Sequence, residues 1–139
     1  MIPQLRRRVR PEWIDANEHL SEAYYVLVFG EATEHAMAHV GMTPEYRERE
    51  KCSLFTVEAH LRYLDQVVLG EEVTVTTQVT EVGGKRLVLW HEMSAGGRMR
   101  ATAEIVGVHV DLGAVKAKPL PDQVRIAAER LLAPEKAGR

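Results

Sequence analysis

Apolar positions along this chain change their period once. Ala23, Val26, Phe29, Gly30, Thr33, Met37 and Val40 recur at steps of three and four, the spacing of one helix face. Beyond residue 54 the step becomes two. Val57, Ala59, Leu61 and Tyr63 alternate with Thr56, Glu58, His60 and Arg62, as the two faces of a strand do. The first pattern predicts a long helix over 22–40. Ser21 is placed to cap it, Glu22 suits its positive end, and Gly41 then Pro44 follow its last turn. Gly30 lowers helix propensity, and a close approach of that helix to a sheet would account for it.

The remaining pattern is mostly strand. A first strand is expected over 5–13 despite Pro11, and a short charged helix over 45–51. Strands follow over 54–63, 72–82, 86–93 and 99–112, with Gly83-Gly84 and Gly96-Gly97 as hairpin turns. Pro119 and Pro121 break the chain before a short amphipathic helix over 123–132, and 134–139 reads as a frayed tail. One early helix followed by hairpin-linked strands predicts an α+β fold. Its five-stranded, mostly antiparallel sheet wraps the long helix in a single domain, 1–139.

Composition narrows the function classes. With 139 residues, 45% hydrophobic and 27% charged, the chain has the balance of a soluble globular domain. A net charge of −2 gives no general attraction to nucleic acid or anionic membrane. The one dense basic run, Arg6-Arg7-Arg8 with Arg10, reads as the solvent side of an edge strand, or alternatively as a phosphate contact. A single cysteine, Cys52, excludes an internal disulfide. It reads as a buried or strand-edge thiol. No leader and no apolar run of membrane-spanning length is visible, so a cytoplasmic location is expected.

The candidate chemistry sits ahead of the long helix. Asp15, Asn17 and His19 fall at i, i+2 and i+4, a few residues before the helix begins. A carboxylate there can attack an acyl carbon or activate water to do so, and unpaired N–H groups at a helix start can hold the oxyanion. The plainer alternative is a helix-entry loop in which Asp15 forms an Asx-turn. Asn17 and His19 either hold Asp15 and the reacting group or satisfy loop backbone. His35 and His39 are four apart on the helix but lack the glutamate of a zinc-protease pattern, so they read as helix-surface residues. No nucleophile elbow and no glycine-rich phosphate loop is present.

Asp15-Ala16-Asn17-Glu18-His19-Leu20-Ser21-Glu22-Ala23-Tyr24-Tyr25, with Phe29-Gly30-Glu31-Ala32-Thr33 behind it, resembles the active-site loop and central helix of hotdog-fold thioesterases. The resemblance is nearest to the 4-hydroxybenzoyl-CoA thioesterase-like branch, and the element order agrees along nearly the whole chain. A narrower resemblance rests on Val9-Arg10-Pro11-Glu12-Trp13-Ile14-Asp15, on the stretch from Thr56 to Asp65, and on Val110-Asp111. These are similar to the thioesterases fused to, or encoded beside, L-carnitine dehydrogenase. This implies hydrolysis of a small acyl-CoA, betainyl-CoA to glycine betaine and CoA, or else of a generic short-chain or aromatic acyl-CoA. It also implies no metal or prosthetic group, and a homodimer or homotetramer.

By that resemblance Asp15 is the nucleophile or general base, and the backbone N–H of Glu22 supplies the oxyanion contact. The family usually has Gly where this chain has Glu18; Gly would permit positive φ there, and Glu18 would not do so cheaply. A quaternary ammonium offers no hydrogen-bond donors, so ring faces and a carboxylate would recognise it. Trp13, Tyr24, Tyr25 and Trp90 are the candidate rings, and Glu58 is the candidate carboxylate. Thr56, Val57 and His60 are candidates for the same acyl pocket at a dimer seam, against the reading of a solvated sheet face. A hydratase of the same fold is disfavoured because His19 comes one residue too early for its D-x-N-x-x-H spacing. A non-catalytic acyl-CoA-binding module is the third reading.

Overall fold

The computed structural model describes residues 1–133; the expected tail 134–139 lies outside the described residues. In chain order the elements are β1 (Leu5–Arg8), a 3₁₀ turn (Pro11–Trp13), α1 (Glu22–His39), α2 (Pro44–Glu50), β2 (Cys52–Tyr63), β3 (Glu72–Val82), β4 (Arg86–Ala95), β5 (Arg98–Asp111), β6 (Lys116–Ala117) and α3 (Asp122–Arg130). The strands form one antiparallel sheet in the order β1-β3-β4-β5-β2, with β6 added on β5. The sheet curls around α1, the α+β hotdog arrangement expected. The expected five strands gain the two-residue β6 as a sixth. Gly96 and Gly97, at φ 56° and 77°, make the tight β4–β5 turn; two successive positive φ values are what glycine allows most readily.

Two elements differ from expectation. The first strand stops at Arg8, because Pro11 begins the 3₁₀ turn instead of continuing the sheet. The buried side of α1 is also rotated. Phe29, Thr33 and Met37 are buried as expected, together with Tyr25, Val28, Ala32 and Ala36. Ala23, Val26 and Gly30 face outward. Nothing lies within 4 Å of where a Gly30 Cβ would stand, so no close approach to a sheet explains this glycine. The helix is apolar around most of its circumference, and periodicity then cannot choose a face.

β2 carries a bulge between Thr56 and Glu58. Thr56 pairs with Gly107 on the side facing α1, whereas Glu58 and His60 pair with Val106 and Glu104 on the outer side. A plain alternation places Thr56 with Glu58; the extra residue, Val57, breaks that phase. At Gly107 an added Cβ would stand 2.6 Å from Leu54 Cδ2, so Leu54 crosses β5 over a position that admits no side chain.

The main core lies between α1 and the sheet. A second apolar cluster joins the C-terminal end of α1 to α2, α3 and the first residues of β2, where Cys52 is buried as expected. Each core contains one fully hydrogen-bonded histidine. His91 bonds Thr33 Oγ1 at 2.9 Å and Thr77 Oγ1 at 2.8 Å, tying α1 to β3 and β4. The Thr33 hydroxyl donates to the Phe29 carbonyl, so His91 Nε2 carries the proton and Nδ1 accepts from Thr77. His109 accepts from the Tyr46 hydroxyl at 2.7 Å and donates to the Lys118 carbonyl at 2.9 Å.

Burial pushes the His91 pKa down from 6.5 to about 4. The unfolded chain therefore binds one more proton than the folded chain between those values. Stability that is complete above pH 6.5 should fall as pH drops toward 4, by up to about 3 kcal/mol from this residue. Denaturant titrations across pH 4–7 check this, and His91→Met should flatten that part of the slope.

Candidate active site

Asp15 opens a four-residue reverse turn closed by its own side chain. The Glu18 N–H donates to the Asp15 carbonyl at 3.0 Å, and the Asp15 N–H donates to the His19 carbonyl at 2.9 Å. Asp15 Oδ1 accepts the N–H groups of Asn17 at 2.9 Å and His19 at 3.4 Å, the Asx-turn geometry that favours aspartate here. Oδ2 accepts no hydrogen bond among the described residues, and the side chain is exposed. One oxygen is thus fixed by the loop and the other is free to react. Glu18 completes the turn at φ 64°, in the left-handed region.

The turn is stitched on both sides. Ile14 bridges Leu20, and the Ser21 N–H donates to the Trp13 carbonyl at 2.9 Å. On the other side Leu20 N–H donates to the Val67 carbonyl at 2.7 Å, and His19 bridges Val68. Ser21 is the N-cap of α1 but makes no side-chain cap. Tyr24 N–H bonds the Ser21 carbonyl, while the N–H groups of Glu22 and Ala23 have no acceptor among the described residues. Unpaired N–H groups and the positive end of the helix dipole therefore stand beside the aspartate turn.

Both features open into one cleft of about 770 Å³ lined by Asp15, His19, Glu22, Tyr25, Tyr63 and Asp65, among others. Tyr25 and Tyr63 meet edge to face with centroids 5.1 Å apart. Burial raises the pKa of both hydroxyls; the Glu22 carboxylate adds to the rise at Tyr63. The lining carries three carboxylates and no lysine or arginine. Arg98 reaches Asp65 Oδ2 at 2.8 Å from outside it.

Of the residues singled out from sequence, Asp15, His19, Glu22 and Tyr25 come together here. Asn17 contributes through its backbone N–H. Trp13 is buried and stacks on the half-buried Tyr24 at 5.7 Å, supporting the turn from below. Trp90 is buried on the sheet side facing away from α1 and donates to Glu92 at 3.0 Å. Glu58 and His60 lie on that same outer side, where they line a separate concavity with Glu104. Thr56 and Val57 are exposed on β2. Sequence reasoning missed Tyr63, Leu64, Asp65 and Gln66 as cleft residues. Tyr63-Leu64-Asp65, at and just past the end of β2, lay within the stretch that carries the narrower resemblance, but nothing local marked them as cleft residues. No group of three His, Cys, Asp or Glu able to hold a metal occurs among the described residues.

The family model for the thioesterase-like superfamily matches residues 9–128. Betainyl-CoA thioesterase of Pseudomonas aeruginosa is 38% identical over 125 residues, covering 88% of this chain and 79% of that one. An L-carnitine dehydrogenase/betainyl-CoA thioesterase of Agrobacterium fabrum is 36% identical over 88% of this chain. The chain spans only 25% of that longer relative. Among solved structures, a Staphylococcus aureus protein in complex with CoA superposes with a TM-score of 0.88 at 24% identity, over 96% of this chain and 87% of that one.

The left-handed Glu18 yields a direct test. Glu18→Gly should leave stability unchanged or raise it by up to about 1 kcal/mol, since relief of strain opposes the added freedom of the unfolded chain. Glu18→Val should lower it by about 1 kcal/mol or more, because a β-branched residue fits φ 64° poorly. Urea unfolding midpoints of the two variants read the difference.

Proposed function

The chain belongs to the thioesterase-like superfamily and is a thioester hydrolase; we propose that its substrate is a small cationic acyl-CoA, betainyl-CoA, cleaved to glycine betaine and CoA. The observation that carries the substrate is the lining of the cleft: the Glu22 carboxylate and the rings of Tyr25 and Tyr63, beside Asp65, which is paired to Arg98 from outside, with no lysine or arginine in the lining. Such a surface suits a trimethylammonium group, which is held by ring faces and nearby negative charge. The name of the Pseudomonas aeruginosa relative supports the same substrate.

Asp15 does the chemistry in this reading. Its free Oδ2 attacks the thioester carbonyl, or takes the proton of the water that does, while Oδ1 stays bound to the loop. The carbonyl oxygen, negative in the tetrahedral intermediate, takes hydrogen bonds from the N–H of Glu22 and its neighbour Ala23. One such preorganised donor is worth about 3 kcal/mol of barrier. The C–S bond then breaks and CoA leaves as thiolate, protonated by solvent or by the Asp15 carboxyl; where Oδ2 itself attacked, a water then hydrolyses the mixed anhydride, restoring the Asp15 carboxylate as the carboxylate product departs. Asn17 and His19 hold the Asp15 carboxylate through their backbone N–H groups, and the His19 ring forms part of the wall.

The assembly proposed is a homodimer, or a tetramer built from such dimers. β2 ends the sheet order, so one edge of this twelve-residue strand has no partner among the described residues, and a long bare edge invites pairing. Val57 at 55% exposure lies on β2, while Val26 at 51% and Leu27 at 43% form the uncovered side of α1. Pairing two copies through β2 and α1 would cover all three and bring the partner's β2 toward the cleft.

Free-thiol release from a panel of acyl-CoAs tests the substrate. Betainyl-CoA should exceed its neutral isostere, 3,3-dimethylbutyryl-CoA, by about 10- to 100-fold in kcat/KM, the range of about 1–3 kcal/mol for charge recognition by rings and carboxylates. Equal values would remove the cationic acyl group from the proposal. Asp15→Asn, which can keep the Asx-turn, should lower kcat by about 10²- to 10⁴-fold while acyl-CoA still binds. Unchanged kcat would take Asp15 out of the mechanism. Sedimentation velocity should find a dimer or larger species, and Val26→Glu with Leu27→Glu should yield monomer; a monomeric parent chain would refute the assembly.

A further inference from the structure

A guanidinium lies almost wholly buried next to the cleft without lining it. The Arg100 side chain, at the start of β5, is 3% exposed. Nη1 donates to the Gln66 carbonyl at 2.6 Å and to Glu71 Oε1 at 2.9 Å; Nη2 donates to Glu71 Oε2 at 2.8 Å and to the Ala95 carbonyl at 3.0 Å. The Arg100 backbone carbonyl accepts N–H groups from both Leu64 and Asp65. Glu71 Oε1 also accepts the Val68 N–H at 3.0 Å. The ion pair therefore grips the 64–71 segment in its middle, at Gln66 and Val68, and at its far end, Glu71, while the Arg100 backbone holds the near end. The Glu71 carboxyl is held below the usual carboxylate range, first by its hydrogen bonds from Arg100.

That segment is the surface on which the aspartate turn is mounted. Its Val67 carbonyl takes the Leu20 N–H, and Val68 bridges His19. Its Asp65 carbonyl accepts the Tyr25 hydroxyl of α1 at 3.3 Å. Leu64, Asp65 and Gln66 are themselves cleft wall. The 64–71 segment thus touches both parts that must be aligned, the Asp15 turn and the first turns of α1.

We infer that Arg100, through Glu71, is the positioning residue of the reaction: it fixes the 64–71 segment and thereby holds the Asp15 turn in register with the N-terminus of α1. The inference rests on Asp15 being the reacting carboxylate, which the Asp15→Asn assay decides by itself. Arg100 touches no substrate. A buried ion pair is poor evidence of net stabilisation, because desolvation offsets most of the attraction; its planar fork, by contrast, fixes several acceptors in one geometry.

Arg100→Lys keeps the charge and removes the fork. In the intact protein it should lower kcat about 10- to 100-fold with KM changed less than about threefold, the signature of lost alignment instead of lost binding. Glu71→Gln keeps the shape and should fall between Arg100→Lys and the parent. Amide hydrogen exchange reads the clamp without any substrate. Exchange at Leu20 and Val68 should quicken at least tenfold in both variants, while the amides of β4 and of the middle of α1 keep the parent rates. Two results overturn the inference: kcat unchanged in the folded variants, or exchange that quickens evenly throughout the sheet. Quickened exchange at Leu20 and Val68 with an inactive parent would uphold the clamp and refute the Asp15 mechanism instead.

Discussion

The position of α1 in its trough is the constraint on which the rest of the molecule depends. In the proposed reaction the first turn of this helix presents unpaired N–H groups to the cleft, and Ser21 gives it no side-chain cap. The anchors are displaced along the helix. Phe29 stacks on His91 at 5.8 Å, and Thr33 bonds the same imidazole, about two and three turns from the start of the helix. A histidine with both nitrogens satisfied in an apolar interior is directional in a way that packing alone is not. It fixes the rotation of α1 about its axis, and that rotation decides whether Tyr25 points at the 64–71 segment and Glu22 at the cleft.

The aspartate turn solves a related problem from the other side. In the proposed reaction a carboxylate on a surface loop must be held still without being neutralised. Here backbone N–H groups hold one oxygen, and no arginine or lysine among the described residues pairs with the other. The loop carrying it is short, positioned by bridges to the 64–71 segment and by the Trp13 carbonyl, and it includes a residue at positive φ. The strain at Glu18 is tolerated because several hydrogen bonds around it determine the same turn.

Much of this fold was legible in the sequence because its signals are local. Paired glycines mark hairpins, a switch from steps of three and four to steps of two marks the end of helical structure, and the Asp15 spacing ahead of α1 is read within eleven residues. What was not legible depends on partners far apart. α1 is apolar on both sides, so its inward face is chosen by the sheet and not by its own pattern. The bulge at Val57 is a property of the pairing with β5 and leaves no mark in β2 alone. Arg100 and Glu71 stand 29 residues apart, and nothing near either predicts that they meet under the Asp15 turn. Trp13 and Trp90 attract a ligand reading by residue type. In the fold one supports the turn and the other fills the far side of the sheet, while the less conspicuous Tyr63 occupies the cleft.

The two oxygens of Asp15 have ceased to be equivalent, and this ties the shape of the turn to its proposed reactivity in a single side chain. Glutamate, one methylene longer, cannot close the same Asx ring, so it would carry the right functional group on a loop of the wrong shape. Alanine would lose both together. The usual separation between a scaffold that can be optimised and a reagent that must be kept does not exist at this position. Any redesign of the turn, for rigidity or for a new acyl group, has to begin by treating that carboxylate as backbone.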